Sequence, residues 1–337
     1  MNRQHLVSVV IPTYRRRDSV ERCLRALARQ TLPADQYEVI VSIDGSEDGT
    51  REMVEALLAP YALQALWQPN RVRAAACNAG IAAASGRILV LLDDDMEPDH
   101  ECLEMHARRH AEDSQLGVVG AAPIVPDQTA PKAASYVTRK FNHHLESLAE
   151  EGYQFKLRDF YSGNFSIQRA LMNYVGGFDD AFKVYGNEDV ELSLRLRAAG
   201  VRLVFEPTAL AWQHNTKDFA SLAQDNVAKG QTAVLLAMKH PETYADLKLS
   251  DYERGSRKWR AVRAVLLRAD KPWPISATVV KRIVPQFDRF LPRRQDLYYS
   301  LALDFFFWLG VRSALQQQDS KHGWLASLQR LSTEAKP

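Results

Sequence analysis

The chain is poor in cysteine, has no long apolar run and lacks the glycine-rich phosphate motifs, and each absence narrows the reading. Its three cysteines in 337 residues, Cys23, Cys77 and Cys102, are far apart and form no CxxC pair. Cys102 has His106 four residues on, but no further Cys or His group completes a zinc-finger spacing. A set so sparse and odd argues for a reducing compartment rather than a disulfide scaffold. No stretch approaches the roughly 18 uninterrupted apolar residues of a membrane-spanning helix, so none is expected. Met1 to His5 run straight into a strand pattern without a signal-peptide core. A cytoplasmic protein is therefore expected, with the inner face of the cytoplasmic membrane as its one candidate surface. The absence of GxGxxG and Walker A sequences argues against dinucleotide cofactors and P-loop chemistry. Neither sign of charge dominates: the net is +2, with 46% hydrophobic and 25% charged residues, the proportions of an ordinary globular protein.

What is present begins with order. Leu6–Ile11 reads as a strand stopped by Pro12, and Asp18-Ser19 as the cap of a helix with Val20, Cys23, Leu24 and Leu27 at helical spacing. Tyr37–Ile43 is a second strand that ends in Asp44-Gly45-Ser46, followed by a helix to about Leu58 and a short strand near Leu63–Trp67. An alanine-rich helix covers Ala74 to Ala84, and the aliphatic run Ile88–Leu92 reads as a strand buried on both faces. Strand and helix alternate at βαβ spacing, which predicts a mostly parallel, doubly wound α/β sheet flanked by helices. Further on, Val118–Gly120 starts another strand, residues 133–160 read as a polar helix and loop, and two helices and two strands follow to Pro207. The second of those helices has Asn187 as its expected N-cap and Gly200 at its end.

The most informative stretch is Asp93-Asp94-Asp95, which closes the buried strand. Ligands of open α/β sheets bind beyond the carboxyl ends of the strands. Three like charges there repel one another, and a hard divalent cation such as Mg²⁺ or Mn²⁺ relieves the repulsion. A solvated acidic turn is the alternative. Tyr14 and Arg15-Arg16-Arg17 lie at the first strand tip and offer a stacking face and cations for phosphate. Asp44 lies at the second tip and can accept from a ribose or base N–H, although Asp-Gly-Ser is equally good turn chemistry. Glu188-Asp189 opens a helix, where acids complement the dipole. Two adjacent carboxylates can also raise one pKa enough for general-base work. His214 follows a buried-looking strand and matters only if a metal site with Asp95 needs another ligand.

Taken in order, these residues resemble the family 2 inverting glycosyltransferases of the GT-A fold. The motifs are Val-Val-Ile-Pro-Thr-Tyr (9–14), Ile-Asp-Gly-Ser-Glu-Asp-Gly-Thr (43–50), Ala-Ala-Ala-Cys-Asn-Ala-Gly (74–80), Leu-Leu-Asp-Asp-Asp (91–95), Gly-Gly-Phe-Asp (176–179) and Asn-Glu-Asp-Val-Glu-Leu (187–192). They run from about Val7 to His214, nearly two thirds of the chain. The resemblance implies a GT-A catalytic domain over 1–215, with a nucleotide-binding half 1–100 and an acceptor half 101–215. It also implies metal-dependent transfer of a sugar from a nucleotide-diphosphate donor, a UDP-sugar by expectation, to a hydroxyl of a glycan or lipid-linked acceptor. Pro12, Tyr14, Asp44, Asn78, Asp93, Asp94, Gly163 and Asn164 would contact the nucleotide-sugar. Asp95, Asp93 and His214 would serve the Mn²⁺ or Mg²⁺ ion, with Asp189 as catalytic base and Glu188 beside it. The family usually has Asp, Gly and Arg where this chain has Ile43, Val72 and Cys77, so Arg71 or Arg73 is expected to supply the missing cation at the diphosphate. A sugar-1-phosphate nucleotidyltransferase would need a glycine-rich, lysine-bearing N-terminal loop in place of Ile-Pro-Thr-Tyr. An inactive nucleotide-sugar-binding protein would be expected to lack Asp95 or Asp189. The absence of a QxxRW signature disfavours a synthase of the cellulose type.

Residues 216–337 lie outside the resemblance and read as a helical, basic and aromatic extension. Residues 251–294 hold twelve Lys or Arg against four Asp or Glu, a local net of +8. An aromatic stretch from Leu297 to Leu315 follows. Either a solvated basic face or peripheral membrane contact through 251–315 is expected, the latter with Trp259, Trp273, Phe287, Phe290 and the 305–308 aromatics at the interface. A core helix or an oligomer contact is the alternative for the aromatics, no nucleic-acid partner is expected, and the oligomeric state is left open.

Overall fold

A computed structural model describes residues 5–215, 217–253, 255–269, 275–318 and 323–334. It divides into two compact units, one of residues 1–125, 140–183 and 188–215 and one of residues 126–139, 184–187 and 216–337. In chain order the first contains β1 (Val7–Thr13), α1 (Arg17–Leu27), β2 (Tyr37–Asp44), α2 (Thr50–Ala56), β3 (Ala62–Gln68), α3 (Val72–Ala83), β4 (Ile88–Leu92), β5 (Met96–Pro98), α4 (Cys102–Glu112) and β6 (Leu116–Gly120). It continues with α5 (Lys132–Leu148), whose first turns belong to the second unit, then β7 (Asn164–Gln168), α6 (Arg169–Val175), α7 (Glu188–Ala198), β8 (Arg202–Glu206) and β9 (Ala211–Gln213).

Seven strands form one sheet in the order β3-β2-β1-β4-β7-β6-β8, parallel except for β7, which runs against both β4 and β6. The expected mostly parallel α/β sheet is therefore present, with one reversed strand at its heart. Alternate residues of β1, β2 and β4 enter separate cores: Val9, Val41 and Val90 on one face, Val10, Ile40 and Leu91 on the other. Burial on both faces is what their unbroken aliphatic runs require. Two local expectations are corrected. β1 runs through Pro12 to Thr13, because β4 pairs with it only as far as Val10 and Pro12 sits past that flank. Asn187 is not a conventional N-cap: it takes φ +62°, and its amide donates to Lys229 O and Thr232 Oγ1.

The second unit contains α8 (Phe219–Lys239), α9 (Arg257–Ala269), α10 (Ile275–Ile283), α11 (Phe287–Phe290), α12 (Gln295–Gln318) and α13 (Trp324–Glu334). Gly230 and Gly310 let α8 and α12 meet backbone to backbone: a Cβ at Gly230 would lie 2.0 Å from Phe307 O, and one at Gly310 1.9 Å from Val227 O. The expectation that the 305–308 aromatics insert in a membrane is overturned. Phe305, Phe306, Phe307 and Trp308 are buried in this unit's core, where contact between helices removes their rings from water. Trp259 and Phe287 pack against the same core, and Trp259 Nε1 donates to Asp304. Asp304 also pairs with Arg263 and Lys248, each at 3.0 Å, so the one acid in the aromatic run is compensated inside. Trp273 lies outside the described residues. Among the described residues, no helix is long and apolar enough to cross a membrane.

Candidate active site

The parallel strands deliver Thr13, Asp44 and Asp93 to one carboxyl edge. Backbone bonds set the triplet: Asp93 N donates to Gly163 O, Met96 N to Asp93 O, and His214 N to Asp95 O, at 2.9, 3.1 and 2.9 Å. Gly163 is required there, because a Cβ at that position would lie 2.5 Å from Asp93 Oδ2.

The three aspartates have different surroundings. Asp94 is buried, accepting from Thr13 Oγ1 at 2.8 Å and from Arg16 Nη1 at 3.1 Å. Burial first, with repulsion from Asp95 added, pushes its pKa up to about 7 despite Arg16 and Thr13. Asp95 is also buried and accepts from the same Arg16 Nη1 at 3.2 Å. Burial and Asp93 raise its pKa, while Arg16 and Gln213 work the other way. Asp93 is more open and accepts from Arg73 Nη2 at 2.6 Å.

Arg73 joins distant parts of the chain. Its Nη1 lies 3.5 Å from Glu188 Oε1, and its guanidinium lies 5.8 Å from the Phe178 ring centroid. Burial alone would lower its pKa, but Asp93, Cys77 and Glu188 together hold it well above the ordinary value. Glu188 is buried at the start of α7, whereas Asp189 beside it is half-exposed, its Oδ1 accepting from Val190 N at 2.8 Å. Cys77 is buried, and burial pushes its thiol up to about 12.

The remaining expected residues divide between the open edge and the scaffold. Tyr14 is exposed, with the Arg15 guanidinium 5.2 Å from its ring centroid, and Pro12 is buried in β1. Asp44 is buried, and its Oδ1 accepts from Gln68 Nε2 and Arg71 N at 2.8 and 2.9 Å. Arg71 itself reaches Asp180 at 3.7 Å. Asn78 uses its whole amide as a clamp, donating to Phe178 O and Asp180 Oδ1 and accepting from Phe178 N. His214 places its Nε2 2.9 Å from Glu97 Oε2. Among the described residues, no three His, Cys, Asp or Glu groups form a closed metal cage.

Asn164 is fully buried in a polar chain behind the site. Its Nδ2 donates to Ala121 O and Ala209 O, so its Oδ1 accepts from His106 Nε2 at 3.0 Å. His106 Nδ1 is then the acceptor for Ser166 Oγ at 2.7 Å, and Ser166 Oγ accepts in turn from His110 Nε2 at 2.8 Å. Burial holds both rings neutral, lowering His106 to about 4 and His110 to about 3.

Sequence reasoning missed Thr13, Arg16, Glu97 and Gln213 as neighbours of the aspartates. The signal for Arg16 was the three-cation turn, read as meeting phosphate; here Arg16 meets two carboxylates of the triplet instead.

Residues 8–176 match the family model described as Glycosyl transferase family 2, and residues 142–216 that of the N-terminal domain of galactosyltransferase. Validoxylamine A glucosyltransferase of Streptomyces hygroscopicus subsp. jinggangensis is 30% identical over 221 residues, 58% of this chain and 52% of its own length. Glycosyltransferase AglE of Haloferax volcanii is 28% identical over 232 residues, 68% of this chain and 73% of its own. The chain thus spans about half the length of the first of these relatives. Among solved structures, mannosyltransferase PcManGT from Pyrobaculum calidifontis, in complex with GDP-Man and Mn²⁺, superposes with a TM-score of 0.57 at 21% identity, over 91% of this chain and 88% of that one. S. aureus TarS in complex with UDP-GlcNAc gives 0.51 at 15% identity, over 93% and 92%. At such identities the likeness is one of fold, and that fold is GT-A.

Proposed function

Because the chain belongs to glycosyltransferase family 2, we propose that it transfers a sugar from a nucleotide-diphosphate donor to a hydroxyl of a glycan or lipid-linked acceptor, with inversion at the anomeric carbon. One observation carries this reading: Asp93, at the tip of β4, and Glu188, at the start of α7, share the guanidinium of Arg73. The donor edge and the proposed base segment therefore meet at a single cation. Asp189, half-exposed beside Glu188, takes the proton of the acceptor hydroxyl as that oxygen attacks the anomeric carbon. The bond from that carbon to the diphosphate oxygen breaks in line, and the nucleoside diphosphate leaves. Tyr14 and Asp44 serve the nucleoside end. Arg73 and Arg71 serve the diphosphate, while Asn78 and Asn164 position the segments around it.

The donor set fits a divalent ion. Buried, mutually repelling carboxylates, one with its pKa pushed up to about 7, gain from a hard cation. Asp95 and Asp93 would hold Mn²⁺ or Mg²⁺, with His214 beside them. Glu97 on its Nε2 matches the carboxylate–histidine pairing common in metal sites. Such ions usually complete their shells with water and substrate phosphates. When bound, the ion supplies neutralisation of charge growing on the leaving diphosphate.

The test is a panel of nucleotide-sugars with Mn²⁺, read by thermal shift and by donor hydrolysis, on the wild type and on Asp189→Asn. The variant should lose turnover by about 10²–10⁴-fold, the usual contribution of a general base, and keep donor binding nearly intact. Near-wild-type turnover would remove Asp189 from the role, and a panel that gives neither shift nor hydrolysis would overturn the reading.

A further inference from the structure

In the second unit, residues 278–297 expose Val279, Ile283, Phe290, Leu291 and Leu297, with Phe290 70% exposed. Scattered exposed apolar side chains are ordinary, but these alternate with cations. Arg282 precedes Ile283, Arg289 precedes Phe290, and Arg293 and Arg294 follow Leu291 by two and three residues. The stretch holds two acids, and both are engaged within the unit. Asp288 accepts from Gln295 Nε2 and from the hydroxyls of Tyr298 and Tyr299. Asp296 pairs with Arg139 at 2.7 Å. Among the described residues, Arg282, Arg289, Arg293 and Arg294 enter no ion pair with an acid, so their charge faces outward uncompensated.

Helix α9 repeats the pattern. Lys258, Val262, Val265 and Arg268 are exposed at helical spacing, while Arg263 and Leu267 on the other face are buried. α9 and α10 are joined by Ser276 Oγ, which donates to Leu266 O at 2.9 Å.

We propose that this α9–α11 surface docks on an anionic lipid bilayer. The cations meet headgroup phosphates, and the branched aliphatics and Phe290 enter the boundary with the acyl chains. Nucleic acid fits less well, because aliphatic side chains have no face on which a base can stack and form no bond to phosphate. The buried 305–308 aromatics take no part. The readout below needs no catalysis, so the proposal stands apart from the glycosyl-transfer reading.

The full chain is sedimented with vesicles of phosphatidylcholine alone and of equal parts phosphatidylcholine and phosphatidylglycerol, at low and high salt. Binding is expected to the anionic vesicles only, weakening as salt rises. The triple variant Arg282→Gln, Arg293→Gln, Arg294→Gln should lose about 100-fold in partitioning, at about fivefold per charge. Phe290→Ser should weaken binding while leaving the salt dependence unchanged. Equal binding to both vesicle types, which the wild type alone reveals, would overturn the proposal. So would a wild type that stays in the supernatant, a triple variant that sediments like the wild type, or preference for an RNA duplex over the anionic vesicles.

Discussion

Acidification tests the buried histidine chain behind the site. The native pKa values of His106 and His110, about 4 and about 3, lie below the unfolded value of 6.5. Between those limits the unfolded chain binds more protons than the native one, so stability is present above about pH 6.5 and is lost as pH falls. At about pH 5 each ring removes about 2 kcal/mol, or about 4 kcal/mol together. Against a total of about 5–15 kcal/mol that is a large share. Asp94 contributes with the opposite sign: its raised pKa of about 7 makes the native state the better proton binder, so acid favours folding there. The wild-type profile is therefore a sum, and a difference isolates one ring. His110→Gln keeps an N–H for Ser166 Oγ and does not titrate. Urea unfolding of both proteins between about pH 8 and about pH 5 should show about 2 kcal/mol less acid loss in the variant. Parallel profiles would refute the claim that His110 is held neutral by burial.

Three further outcomes follow from the site's geometry. Val72 sits at φ +70°, a conformation that costs a β-branched residue about 1–2 kcal/mol or more. Against about 0.5–1 kcal/mol of extra chain entropy for glycine, Val72→Gly should stabilise by ~1 kcal/mol and raise the melting temperature by roughly 1–2 °C; an unchanged melt would show no strain there. Gly163→Ala should displace the Asp93 carboxylate and weaken donor binding about tenfold, ~1.4 kcal/mol, with circular dichroism unchanged, and wild-type affinity would show that Asp93 is not used. Arg73→Ala strips Asp93 and Glu188 of their shared cation and should weaken donor titrations by at least tenfold, ~1.4 kcal/mol; Arg73→Lys should recover only part, because an ammonium cannot span both carboxylates as the fork does.

The sheet was legible in the sequence wherever burial left one solution: aliphatic runs closed by Asp44 and Asp93 can only be strands covered on both faces. The reversal of β7 was not, since Asn164–Gln168 has the same apolar pattern in either direction and only the pairing with β4 and β6 decides it. Helix α4 went unread because its buried face sets one aliphatic, Leu103, beside Cys102, His106 and His110. Its rings are neutral and hydrogen-bonded where a hydropathy pattern expects aliphatics. The candidate site was legible residue by residue but not as a set of partners. Charge along the chain does not say which guanidinium meets which carboxylate, and Arg16 and Arg73 were both read as cations for phosphate. The aromatic run at 305–308 was ambiguous for a related reason. A ring suits a membrane interface and a helix core equally, and the close approach at Gly230 and Gly310 selects the core.

The same partners explain why donor binding would call for a further cation. Asp93, Asp94, Asp95 and Glu188 meet the guanidiniums of Arg16 and Arg73, two cations against four carboxylates, or against three while Asp94 keeps its proton. A nucleotide diphosphate adds more negative charge, in a setting where buried carboxylates already resist ionisation. Either a guanidinium leaves its aspartate for the diphosphate, which restores the repulsion, or a divalent ion held by Asp93 and Asp95 would supply the missing positive charge with the guanidiniums in place. Only the second route lowers the charge. Donor and ion should therefore bind with positive coupling, each tightening the other by the same factor.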